Sequence, residues 1–138
     1  GALVDHFQHW IYENPSATPK ERKIQWLKLE NIYQPGKNYD NLKFFKNGGF
    51  WQKQAHIYEM PFYYIDYTLA QVCAFQFWIR MQEDKESAWN DYLKLCKAGG
   101  SMSFLDLVKL ANIKSPFDPK VFEEVATKIN NWLSENNL

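Results

Sequence analysis

The sequence predicts an all-α fold with about six helices. Three observations predict it. Apolar residues recur at helical spacing along the chain, beginning with Leu3, Phe7, Trp10 and Ile11. Helix-capping residues precede four further stretches, at Thr18, Asp84, Ser103 and Asp118. No stretch makes a convincing strand.

The first helix ends near Asn14-Pro15, because a residue before proline avoids the helical region. It has no capping residue ahead of Leu3, so the chain reads as a piece of a longer protein. His6 and His9 lie three apart on it. That spacing can share a metal, but pairing with neighbours such as Asp5 is the simpler reading. In the second helix, Thr18 caps, Pro19 suits the first turn and Glu21 completes a capping box. It runs to about Gln34, where Pro35-Gly36 stops it. Ile24, Leu27 and Asn31 form one stripe, and Trp26, Leu29 and Tyr33 another, so burial on two sides is expected. Residues 36–55 have no period, yet Phe44-Phe45 and Phe50-Trp51 punctuate them. Four such aromatics predict an ordered loop with short helical turns, packed on the body.

A loop carrying His56 should follow, then a helix started by Pro61 and apolar nearly all round. Leu69, Val72, Phe75, Phe77, Trp78 and Ile79 point in most directions, so other elements should wrap it. It fades near Gln82–Glu83. Asp84 caps the next helix, which carries Trp89, Tyr92, Leu93 and Leu95 to Gly99-Gly100. Ser103 with Asp106 opens another, with Leu105, Val108 and Leu110 inward. The Gly99-Gly100-Ser101 turn lacks the remainder of a P-loop and reads as a helix stop. Asp118-Pro119 starts the last helix, with Val121, Phe122, Val125, Ile129 and Trp132 apolar.

Composition narrows the function. At 138 residues the chain is one domain or part of one, and 46% hydrophobic content supports a real core. Sixteen basic and sixteen acidic residues cancel, which argues against a nucleic-acid partner and supplies no polybasic membrane patch. Asp66, Gln71 and Gln76 interrupt the apolar run 65–79, so it fails as a membrane span. Cys73 and Cys96 have no C-x-x-C spacing, and no targeting pattern opens the sequence; a reducing cytosol is expected.

With three histidines and neither H-E-x-x-H nor G-x-S-x-G, the chain lacks a complete catalytic set. It does hold a cluster of donors. Tyr64 and Tyr67, three apart, share a helix face, as do Tyr63 and Tyr67, four apart. Tyrosine, with a pKa near ~10, remains a donor at neutral pH. Phenols and an imidazole near a helix start favour negative charge, such as the oxyanion of an attacked peptide bond. The competing reading is a tyrosine-rich helix whose hydroxyls merely bond to other helices.

Three runs carry a resemblance. They are Val4-Asp5-His6-Phe7-Gln8-His9-Trp10-Ile11-Tyr12; His56-Ile57-Tyr58 with Pro61-Phe62-Tyr63-Tyr64-Ile65-Asp66-Tyr67 and Leu69-Ala70-Gln71; and Gly99-Gly100-Ser101 with Ser103-Phe104. Together, in order, they resemble the C-terminal part of the oligoendopeptidase F family, zinc peptidases related to thimet oligopeptidase. The resemblance implies a two-lobed helical fold around a deep channel that admits short peptides. It implies one zinc, held by an H-E-x-x-H helix and a downstream glutamate, whose bound water attacks the scissile carbonyl. Those ligands would lie upstream of Gly1. Residues 1–138 would then form one lobe of the catalytic domain, with no metal ligands and no activity of their own.

By that resemblance His56, Tyr64 and Tyr67 match the residues that contact substrate and steady the oxyanion. Related enzymes have a glycine-rich loop with a mobile tyrosine between the histidine and the helix. Here Tyr58-Glu59-Met60-Pro61 is shorter, and Tyr58 and Tyr63 are both candidates for the substrate-binding tyrosine. The expected partners are short peptides and the N-terminal part of the same enzyme. A second copy could also cover an exposed apolar face. Two alternatives are a helical protein-interaction module and a peptide-binding relative without its metal site.

Overall fold

The computed structural model describes residues 1–137. It contains seven α-helices and, between the second and third, two short helical turns. No strand occurs among the described residues. The chain divides into two compact units, Gly1–Thr68 and the residues from Leu69 onward.

The first unit contains α1 (Ala2–Glu13) and α2 (Pro19–Tyr33). The capping box forms as predicted: the Thr18 hydroxyl accepts from the Glu21 amide, and the Thr18 amide donates to the Glu21 carboxylate. Leu3, Val4, Phe7, Trp26, Leu29 and Trp51 make the core. Phe7 sits at its centre, edge-on to Trp26 at 5.1 Å and tilted against Trp51 at 5.3 Å. Only one stripe of α2 is buried, contrary to expectation. Ile24 and Tyr33 face outward, because Trp26, Leu29 and Glu30 take the inner face.

The buried Glu30 carboxylate is well supplied with donors. Trp26 Nε1 donates at 3.1 Å and the Tyr39 hydroxyl at 2.5 Å, and Lys37 Nζ lies 3.3 Å away. Those bonds tie the aperiodic segment to α2, since a buried carboxylate requires such partners. A π turn (Phe45–Gly49) and a 3₁₀ turn (Phe50–Lys53) follow, the short helical turns the aromatics foretold. Gly48 has φ +81°, and an added Cβ there would lie 2.2 Å from the Lys23 carbonyl oxygen. Only glycine lets the turn approach α2 this closely.

Two expectations fail at the next step. His56 is not on a loop; it opens a one-turn helix, α3 (His56–Glu59). Pro61 does not start the long helix either, for α4 spans Ile65–Glu83. The cause is Phe62, whose φ of +62° interrupts any helix running from Pro61.

The second unit contains the greater part of α4 with α5 (Lys85–Ala98), α6 (Phe104–Leu110) and α7 (Pro119–Glu135). Asp84, Ser103 and Asp118 accept first-turn amides as read from the sequence. One apolar cluster joins Phe77 with Val108, Ala111 and Ile113; another joins Val72 with Val121 and Val125. Buried Gln76 uses both ends of its amide on Lys114, donating to the carbonyl at 3.0 Å and accepting from the N–H at 2.8 Å. Asp91 accepts from Arg80, Lys94 and Asn112 at 2.6, 2.8 and 3.0 Å. Within α4 only Val72, Gln76 and Phe77 are buried, so the helix is not wrapped on all sides. Leu105, expected inward, is exposed, because Val108 fills the inner position; Phe122 is exposed as well, beside buried Val121 and Val125.

Candidate functional site

The site lies within the first unit, where α3, the turn after it and the first turn of α4 bring three phenol rings around one imidazole. His56 stands at the start of α3. The Tyr63 amide closes a turn onto the Met60 carbonyl, and the Asp66 amide bonds to the Tyr63 carbonyl. This path returns the chain so that Tyr63, Tyr64 and Tyr67 all face His56. Tyr64 meets the imidazole edge-on at 4.8 Å and Tyr67 at 5.7 Å, while the Tyr63 ring lies parallel to it at 6.4 Å. The tyrosines also contact one another, Tyr67 lying 5.5 Å from Tyr63 and 5.4 Å from Tyr64.

One hydrogen-bond distance links the imidazole to a phenol: Tyr67 Oη and His56 Nε2 are 3.3 Å apart. Two protonation patterns fit it. With the ring proton on Nδ1, the phenol donates to Nε2. With the proton on Nε2, the imidazole donates to the phenol oxygen and the phenol hydrogen is free to turn outward. The second pattern provides a donor for an incoming group without breaking the pair.

Burial raises the Tyr67 phenol above its ordinary range, and the neighbouring Tyr63 hydroxyl adds to the effect. Tyr67 therefore stays protonated, as a donor must. Tyr67 as a residue is 50% exposed, and Tyr63 is 39% exposed, so both are within reach of solvent-borne groups. Tyr64 is half-buried and packs against the core of the unit. Tyr58 lies apart from these rings, stacked on Trp51 at 5.9 Å. Burial raises its phenol, opposed by the charge of Arg22.

The histidines do not assemble a metal centre. The His6 Nδ1 is 3.1 Å from the Tyr33 hydroxyl, and the His9 Nε2 is 3.6 Å from Asp5. Among the described residues no group of three or more His, Cys, Asp or Glu could hold a metal ion. The donor set therefore does not fit a zinc. A cavity of about 240 Å³ in the second unit is lined by Gln76, Arg80, Glu83, Lys114, Glu124 and Lys128, among others. Its charges are matched within the chain, Lys114 with Glu124 and Lys128 with Glu83.

Sequence reasoning missed the aromatic support behind the site. The Phe62 ring lies 4.8 Å from His9 and 4.9 Å from Tyr12. The only signal was the Pro-Phe pair ahead of the tyrosines, where a proline-started helix was the more obvious reading.

A helical chain thus gathers imidazole and phenol donors on one solvent-accessible edge. Residues 2–127 match Peptidase family M3, and the chain belongs to that family. Three solved structures are similar. One described as PZ peptidase A with inhibitor 2 is 54% identical, with TM-score 0.89, over 96% of this chain and 24% of that one. A second, provisionally described as an oligoendopeptidase F, is 55% identical, with TM-score 0.88, over 96% and 23%. A third, from Bacillus anthracis strain Ames and provisionally given the same description, is 44% identical, with TM-score 0.73, over 96% and 20%. The chain thus spans less than a quarter of the length of these relatives. No curated protein matches at a significant level. These likenesses agree with the oligoendopeptidase F resemblance and with the all-α fold.

Proposed function

We propose that this chain is the C-terminal lobe of a zinc-dependent oligoendopeptidase that hydrolyses short peptides. The observation that carries the reading is the His56–Tyr67 pair at 3.3 Å, set among Tyr63 and Tyr64. Family membership supports it. When water adds to a peptide carbonyl, the oxygen acquires negative charge. The Tyr67 hydroxyl, with His56 behind it, donates to that oxygen, and Tyr64 fixes the imidazole from the side. Preorganised donors of this kind contribute about 3–4 kcal/mol each in other enzymes. Tyr63 and Tyr58 offer exposed ring faces to the peptide, as rigid contact area at low entropic cost.

The zinc ligands belong to a part of the enzyme outside this chain, and the chain's own residues take no part in holding metal. Short peptides and the preceding part of the same enzyme are its partners, with neither nucleic acid nor membrane. No helix among the described residues is long and apolar enough to cross a membrane. Cys73 and Cys96 are free thiols, which fits the cytosol. Exposed apolar side chains such as Ile32, Leu42 and Phe117 favour dimerisation of the isolated chain.

The test is Tyr67→Phe in the complete peptidase. It should lower kcat by roughly a hundredfold with a smaller effect on KM. An unchanged kcat would remove Tyr67 from its role.

A further inference from the structure

We infer that Phe62 is a positioning residue that holds the His56–tyrosine cluster in register by anchoring the turn between α3 and α4 to α1. Its consequence for catalysis rests on the function proposed above; its structural content does not. Phe62 is the residue at which the chain reverses. It adopts φ +62°, a conformation rare for a bulky side chain, although glycine would adopt it freely. A residue with a Cβ persists in that region where its surroundings hold it there.

The surroundings are visible. His9 and Tyr12 lie one turn apart on α1, so they share a face. The Phe62 ring meets both, at 4.8 and 4.9 Å and at nearly equal tilts of 54° and 55°. His9 is itself steadied from the same helix by Asp5 at 3.6 Å. The ring is thus clasped by α1, the helix that contributes Leu3, Val4 and Phe7 to the core.

Residues on either side of this clasp make the site. Before it come His56 and α3; after it come Tyr63, Tyr64 and Tyr67. Releasing the ring would detach the Met60–Tyr63 turn from His9 and Tyr12 of α1, leaving it held through Ile57 and Tyr64, which pack on the core on either side of it. The parallel setting of Tyr63 against His56, at 3°, and the Tyr67–His56 hydrogen bond both depend on where that turn lies. Phe62 touches neither His56 nor these tyrosines through a ring contact, so it acts through the backbone.

The experiment uses this chain and reads geometry by NMR. The His56 imidazole packs near-perpendicular to two phenol rings, at 4.8 and 5.7 Å, so its carbon-bound protons should be ring-current shifted. The Trp26 indole N–H, which donates to Glu30, reports separately on the core. Phe62→Gly relieves the backbone and removes the ring. It should move the His56 resonances toward random-coil positions while Trp26 is unchanged, and His9→Ala with Tyr12→Ala should do the same. Phe62→Tyr keeps the ring and should restore the wild-type shifts. Unmoved His56 shifts in Phe62→Gly, with Trp26 native, would overturn the inference. Loss of the Trp26 signal in both Phe62→Gly and the His9→Ala, Tyr12→Ala chain would also overturn it, by showing a general structural role. If the shifts behave as expected but Tyr67→Phe leaves kcat intact in the complete enzyme, the functional reading fails and the positioning role stands.

Discussion

The Tyr67 hydroxyl and the His56 Nε2 are 3.3 Å apart, joined across a reversal of the chain that separates α3 from α4. Neither group is bonded to a backbone carbonyl. A hydroxyl bonded to a titratable imidazole can exchange its roles of donor and acceptor as that ring changes tautomer. That freedom suits a site where charge appears during reaction.

The raised pKa of Tyr67 leads to a prediction about alkaline pH. Burial first, and the Tyr63 phenol second, favour the neutral form in the folded chain. The folded pKa therefore lies above the unfolded value near ~10. The preference is fully present below that value and is lost as pH rises through the folded pKa. An ultraviolet difference titration of the chain against Tyr67→Phe should show this phenol ionising later than free tyrosine. Ionisation at or before the free value would contradict the proposed environment.

Asp91 should behave in the opposite sense. Hydrogen bonds from Lys94, Arg80 and Asn112, in that order, hold its carboxyl well below the usual range. The stabilisation is complete above the unfolded pKa near ~3.9 and is lost as pH falls through the depressed folded value. Asp91→Asn should lower the thermal midpoint at neutral pH, and the deficit should shrink toward strong acid. A deficit independent of pH would show that packing, and not charge, is responsible.

Two substitutions in the first unit should separate core from turn. Phe7→Ala removes a fully buried ring and should cost about 3–5 kcal/mol in denaturant unfolding. Gly48→Ala places a methyl against the Lys23 carbonyl in a left-handed backbone and should cost at least ~1 kcal/mol. Little change in Gly48→Ala would mean the turn is free to move off α2.

The chain should bind no zinc stoichiometrically and cleave no peptide alone, because its histidines pair with Tyr33, Asp5 and Tyr67 and assemble no ligand set. Metal analysis after mild chelation checks this. One tightly held zinc per chain would overturn it.

The helix starts were legible because each depends on local chemistry. Thr18, Asp84, Ser103 and Asp118 satisfy amides within three residues of themselves, so sequence alone carries the information. The start of α4 was not legible. Pro61 is as suitable for a first turn as Pro19, and only the docking of Phe62 onto His9 and Tyr12 makes the difference. Burial of α2 on one stripe was hidden for a similar reason. Glu30 looks like a surface residue until Trp26, Tyr39 and Lys37 are seen around it. The grouping of Tyr63, Tyr64 and Tyr67 followed from helical spacing, whereas their approach to His56 depends on a turn that periodicity cannot reveal.

A double-mutant cycle on His56→Ala and Tyr67→Phe, read as kcat/KM of the complete peptidase, tests the central claim most directly. If the pair acts as one donor, each single change should be severe and the double scarcely worse, giving a coupling of about 1 kcal/mol or more. Effects that add to within about 0.5 kcal/mol would show that the two groups act independently and would contradict the account.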